Sequence, residues 1–130
     1  MSRFHADTED ERRDLVVDAI GAHRERGSRF TTFQTPAKDE DDPDPWIQFA
    51  AMDSLVNLDC TDDEFARLET LLSEFGGCTI RERTTPEDAD GTNVRIEMRV
   101  DDHRVAQFVD RCFREVYGRP SDYRLWVTDI

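Results

Sequence analysis

The sequence predicts an α+β protein. Residues 54–130 read as a ferredoxin-like βαββαβ sandwich, preceded by an N-terminal helix and a β-hairpin-like segment. Three observations carry this. Apolar residues recur at helical spacing in three stretches, each opened by a capping residue. Val94, Ile96, Met98 and Val100 alternate with Asn93, Arg95, Glu97 and Arg99, as in a strand buried on one face. From residue 54 onward the periodicity switches in the order strand, helix, strand, strand, helix, strand.

Thr8-Glu9-Asp10-Glu11 is a capping-box pattern and opens the first helix. Leu15, Val16, Ala19, Ile20 and His23 share one face, Arg24 and Arg26 occupy the last turn, and Gly27 ends it. Phe30 to Gln34 is a short β-prone run. Pro36 to Pro45 is charged and proline-rich, cannot bury anything, and reads as a mobile loop. Trp46 to Met52 is a second apolar run, and the two runs can pair as a hairpin around that loop.

Leu55 to Cys60 is the first strand of the sandwich. Thr61-Asp-Asp-Glu64 is a second capping box, opening a helix with Phe65, Leu68, Leu72 and Phe75 inward and Gly76-Gly77 as its stop. Cys78 to Arg83 alternates as a strand, Thr84 to Gly91 is turn chemistry, and the strand around Val94 follows. Asp101 or Asp102 caps a third helix with Val105, Phe108, Val109, Cys112, Phe113 and Val116 inward, ended by Gly118 and Pro120. Tyr123 to Thr128 closes the series. The length predicts one domain over 1–130, divided into a helix (1–27), a hairpin or extension (28–53, loop 36–45) and the sandwich (54–130).

Both sandwich helices are expected on one side of the sheet, over Ile80, Val94, Ile96, Met98 and Val100. Alternation sends Thr79, Arg81, Arg83, Arg95, Glu97 and Arg99 to the other side. In the last strand the phase that keeps Arg124 out of the core buries Tyr123, Leu125 and Val127 and turns Arg124 and Trp126 outward. The expected binding residues are therefore Arg81, Arg83, Arg95, Arg99, Arg124 and Trp126, gathered on one face. Three uses of this face compete. The first helix or the 30–52 segment can cover it, with arginine stems lying under their apolar residues. A second copy can meet it, sheet to sheet or by edge pairing. It can serve as an anion or single-stranded RNA platform, with Trp126 stacking bases.

Thirty acidic residues stand against 17 basic ones, Lys38 being the only lysine, for a net charge of -13 and a pI near 4.5. Such a surplus repels itself across a Debye length of about 8 Å at 0.15 M salt and about 3 Å at 1 M, so the chain suits strong salt. In composition it resembles cytoplasmic proteins of halophilic archaea. That resemblance implies a salt-rich cytoplasm and names no family. The same charge opposes nucleic-acid binding, and Thr92 to Val100 lacks the central aromatics of an RRM domain.

No apolar run approaches the roughly 18 residues of a membrane span, and the N-terminus shows no signal-peptide h-region. Cys60, Cys78 and Cys112 are odd in number and without CxxC spacing, which fits a reduced compartment and three small apolar side chains. Cys60 and Cys78 fall at opposite ends of the predicted sheet, too far apart for a disulfide. His5, His23 and His103 are scattered, and no catalytic or metal-ligand pattern emerges. The expectation is a non-enzymatic domain without cofactor or metal that acts through protein contacts as a homodimer. Anionic-ligand or RNA binding, and a small enzyme with an unrecognised site, are the alternatives.

Overall fold

A computed structural model of the chain describes residues 5–27, 30–37, 44–87 and 91–128. The elements in order are β1 (His5–Ala6), α1 (Glu9–Arg26), β2 (Thr31–Gln34), β3 (Trp46–Ala50), β4 (Leu55–Cys60), α2 (Asp62–Glu74), β5 (Cys78–Thr84), β6 (Thr92–Met98), α3 (Asp102–Arg111) and β7 (Leu125–Thr128). Most of the expected 36–45 loop, residues 38–43, and most of the expected 87–90 turn, residues 88–90, lie outside the described residues.

The helices start where side chains can satisfy their free N–H groups. Thr8 accepts the Glu11 N–H, and Asp101 accepts the Arg104 N–H. Thr61 and Glu64 cap each other's backbone in a complete box, at 3.2 and 2.8 Å. Gly27 closes α1 in the left-handed conformation (φ 72°). Gly77 is left-handed too (φ 85°), and a Cβ there would lie 2.7 Å from Val100 Cγ1, so the stop after α2 also permits close packing. After Arg111 the third helix widens into a π turn, Cys112–Val116, and Arg67 caps the freed Val116 carbonyl with Nε and Nη2.

Seven antiparallel strands form one sheet in the order β1-β7-β2-β3-β4-β6-β5. The fold is thus α+β, with three helices and a seven-stranded antiparallel sheet. It departs from the ferredoxin-like expectation at one point. β4, β6 and β5 lie side by side as expected, but β7 does not pair with β4, because the β2–β3 hairpin is wedged between them. The expected hairpin exists, with Thr31 opposite Phe49 and Phe33 opposite Ile47. It joins the sheet instead of preceding it. The reason lies in its pattern: Phe33, Ile47 and Phe49 are buried on the same side as Val56, Leu58, Val94 and Ile96, so the hairpin widens the apolar floor. Helix α1 occupies that added floor, packing on α3 and against β2 and β7, with Leu15, Val16 and Ile20 in the common core.

On α2 the buried stripe is Phe65, Leu68, Leu71 and Phe75, while Leu72 is only partly buried. Leu71 and Leu72 both border the stripe at 3.6-residue spacing, and packing on the π turn selects Leu71. No helix among the described residues is long and apolar enough to cross a membrane.

Candidate functional site

All three helices pack on one side of the sheet, and among the described residues no helix lies over the other side. The expected cover by α1 is corrected by its position over β2, β7 and α3, and that by the 30–52 segment by its place within the sheet. Register builds the open face row by row. A central row runs Thr32, Gln48, Asn57, Arg95, Glu82 across five strands. Amides link it, with Gln48 donating to Thr32, Asn57 to Gln48 and Asn93 to both Asn57 and Asp59. A second row carries rings: Trp46, Gln34, Trp126 and His5 stand opposite one another. A third holds Ala50, Leu55, Glu97 and Thr79.

At the β5–β6 end lies a hollow of about 320 Å³ lined by Asp53, Leu55, Arg81, Glu82, Arg95 and Glu97. Glu97 sits between two guanidinium groups, accepting from Arg99 Nε at 2.9 Å and Arg81 Nη1 at 3.2 Å. The Arg99 bond first, then the charges of Arg99 and Arg81, hold its carboxyl below the usual carboxylate range. Arg95 comes no closer than 3.9 Å to Glu82 and stays half-exposed. Arginines and acids nearly balance across the whole face: Arg81, Arg95, Arg99 and Arg124 stand with Asp7, Asp53, Asp59, Glu82 and Glu97, in a chain of net charge -13.

The six expected residues do not form one patch. Arg81, Arg95 and Arg99 come together as described. Arg83 does not join them: a bulge between Ile80 and Glu82 puts Arg83 opposite Val94, on the helix side, with its guanidinium 4.0 Å over the Phe65 ring. The same bulge brings Glu82 onto the open face. Arg124 and Trp126 take the expected phase, with Tyr123, Leu125 and Val127 buried. The wedged hairpin, however, carries them five strand spacings from β5, about 24 Å. There Arg124 pairs with Asp7 through Nε at 2.8 Å and Nη2 at 3.3 Å, which lowers the Asp7 pKa and raises that of Arg124.

Sequence reasoning missed a charged centre in the core. Arg12 is fully buried. It donates from Nε to Asp110 Oδ1 at 2.7 Å and from its other nitrogens to the carbonyls of Asp7, Tyr123 and Ser121. Tyr123 adds its hydroxyl to Asp110 at 2.8 Å and its ring beneath the guanidinium. Arg12 falls one turn before Leu15 and Val16, on the apolar face, and Asp110 one turn before Phe113. Both positions carried the signal. His23 is also buried, with Nδ1 3.0 Å from the Phe30 carbonyl.

Burial raises all three thiols, that of Cys60 to about 12 and that of Cys112 well above the ordinary value, so none is poised as a thiolate nucleophile. Cys60 stands near the Thr92 end of β6 and Cys78 opposite Met98, at opposite ends of the sheet. No group of three or more His, Cys, Asp or Glu among the described residues is placed to hold a metal ion.

Over residues 1–130 the chain matches a family of unknown function, DUF7975. The chain belongs to this family. No curated protein and no solved structure matches it. For this DUF7975 member the arrangement offers a broad, almost neutral sheet face, with rings toward one edge and exposed arginine–glutamate pairs at the other.

Proposed function

We propose that this DUF7975 protein is a non-enzymatic, salt-adapted contact domain of the cytoplasm, and that its open sheet face binds a second copy of itself. The observation that carries the reading is the charge contrast. The face is near neutral while the chain as a whole is strongly acidic, so it is the surface on which two copies approach with least repulsion. It carries residues of the kind that dominate protein interfaces, Trp46, Trp126, Leu55 and arginines. Sheet-to-sheet contact is favoured over edge pairing because both edges are blunted. β1 has only two residues, and β5 is bulged and charged. The acidic composition supports a salt-rich cytoplasm.

Light scattering in about 2 M KCl, where charge repulsion is screened, tests this over a wide protein concentration range. A dimer is expected, and Gln48→Arg, which buries two unpaired charges at the centre of the contact, turns it into a monomer without unfolding it. Monomer at every concentration of the wild type removes the reading.

A second reading rests on the ring row. Trp46, Trp126 and His5, with the arginines beyond, suit stacking of single-stranded RNA. Arg95→Ser with Arg99→Ser then abolishes the quench of tryptophan fluorescence by oligouridylate. A wild-type protein that shows no quench eliminates it.

A further inference from the structure

The proposed self-contact leaves open which side chains anchor it. Among the described residues the exposed large apolar side chains are Phe30 (48%) and Met52 (76%). Both lie at the same end of the sheet. Phe30 precedes β2 and alternates onto the open face, in line with Ala50, and Met52 tops the turn between β3 and β4. The hollow begins one residue further on, at Asp53 and Leu55.

The turn between them is held in an unusual backbone conformation. Ser54 has φ 55°, the left-handed region that costs a non-glycine residue about 1–2 kcal/mol. It is fixed there from both sides: Asp53 N–H bonds the Ala50 carbonyl at 3.2 Å, and the Ser54 carbonyl accepts the Met98 N–H at 2.8 Å. Such a conformation persists only where the surroundings impose it, and it occurs in the turn that carries the exposed Met52.

We propose that Met52 and this hollow form a reciprocal knob-and-hollow contact across a two-fold axis, the partner being a second copy of the chain. The inference rests on the self-contact reading above. A knob adjacent to its own hole on one surface satisfies two contacts at once when the axis passes between them, and the assembly closes at two. The flexible thioether can pack on Leu55 and the stems of Arg81 and Arg95, in a hollow whose other lining residues are Asp53, Glu82 and Glu97. The charges agree as well. Arg95 lies beyond hydrogen-bond distance of Glu82 and keeps donors for the partner's Asp53, while Glu82 keeps acceptors.

Sedimentation equilibrium in about 2 M KCl, with repulsion screened, compares wild type, Met52→Asp, Met52→Leu and Gln48→Arg. Met52→Asp is expected to weaken the dimer at least about tenfold, a loss of about 1.4 kcal/mol, with Met52→Leu within about threefold of wild type. Met52 is exposed, so the unfolding midpoint of each variant serves as the folding control. A wild-type dimer that Gln48→Arg dissociates and Met52→Asp leaves intact overturns the knob and keeps the face. A dimer that neither variant weakens overturns both, as does a wild-type monomer.

Discussion

Arg12 and Arg95 are the same side chain in opposite surroundings. Arg12 is sealed in the core with a carboxylate, three carbonyls and an aromatic ring on its guanidinium. Arg95 stands in water on the open face with a single loose partner at 3.9 Å. A buried cation is tolerated only when its donors are met, and removing one partner strands the other. An exposed cation has water as an alternative and contributes little to the fold. The first arginine therefore belongs to the architecture, and the second stays exposed on the sheet face.

Several substitutions sharpen or break that contrast. Arg12→Ala strands the Asp110 carboxylate and is expected to destabilise by about 3–5 kcal/mol in denaturant unfolding. A loss below about 1 kcal/mol shows that the centre is not structural. Tyr123→Phe removes one donor to Asp110 and keeps the ring, so the same measurement should lose about 1–2 kcal/mol. Arg95→Ser and Arg99→Ser should leave the unfolding midpoint of the monomer unchanged while altering association; a lowered midpoint would return these arginines to the architecture.

The smallest effect concerns pH. The Arg24 bond holds the Asp102 carboxyl below its ordinary value of 3.8. A depressed folded-state pKa means that its contribution is present above about pH 4 and is lost as pH falls through the lower folded value. Asp102→Asn should therefore lower stability slightly near pH 7, flatten the acid limb below pH 4, and bring the two curves together at the lowest pH. Equal acid limbs in the two proteins would dismiss the pair as a contributor.

What the sequence revealed and what it concealed divide along physical lines. The three helices were legible because Thr8, Thr61 and Asp101 cap them locally and apolar residues recur at their spacing. The β6 alternation was legible for the same reason, since neighbours along the chain decide it; the phase of β7 was open in the sequence, and the choice that keeps Arg124 out of the core is the one the structure takes. Strand order was not legible. Whether β7 lies beside β4 or beside β2 depends on contacts between distant segments, and Phe33, Ile47 and Phe49 are as apolar in a covering hairpin as in a wedged one. The candidate site inherits both outcomes. Arg81, Arg95 and Arg99 follow from alternation, whereas a one-residue bulge moved Arg83 to the other side. The wedge carried Arg124 and Trp126 to the far edge. Arg12 was overlooked because an arginine on an apolar stripe looks like an error in the period until Asp110 and Tyr123 are brought to it.

The Arg12 centre also sets an order of events during folding. Its partners Ser121 and Tyr123 lie 109 and 111 residues downstream, and among the described residues β1 pairs with β7 alone. Contacts of such span carry the largest loop-closure cost and form late. Until the C-terminal segment docks, the Arg12 guanidinium lacks two of its carbonyl partners and β1 lacks the strand it pairs with. Docking of β7 thus fastens β1 and the start of α1 together.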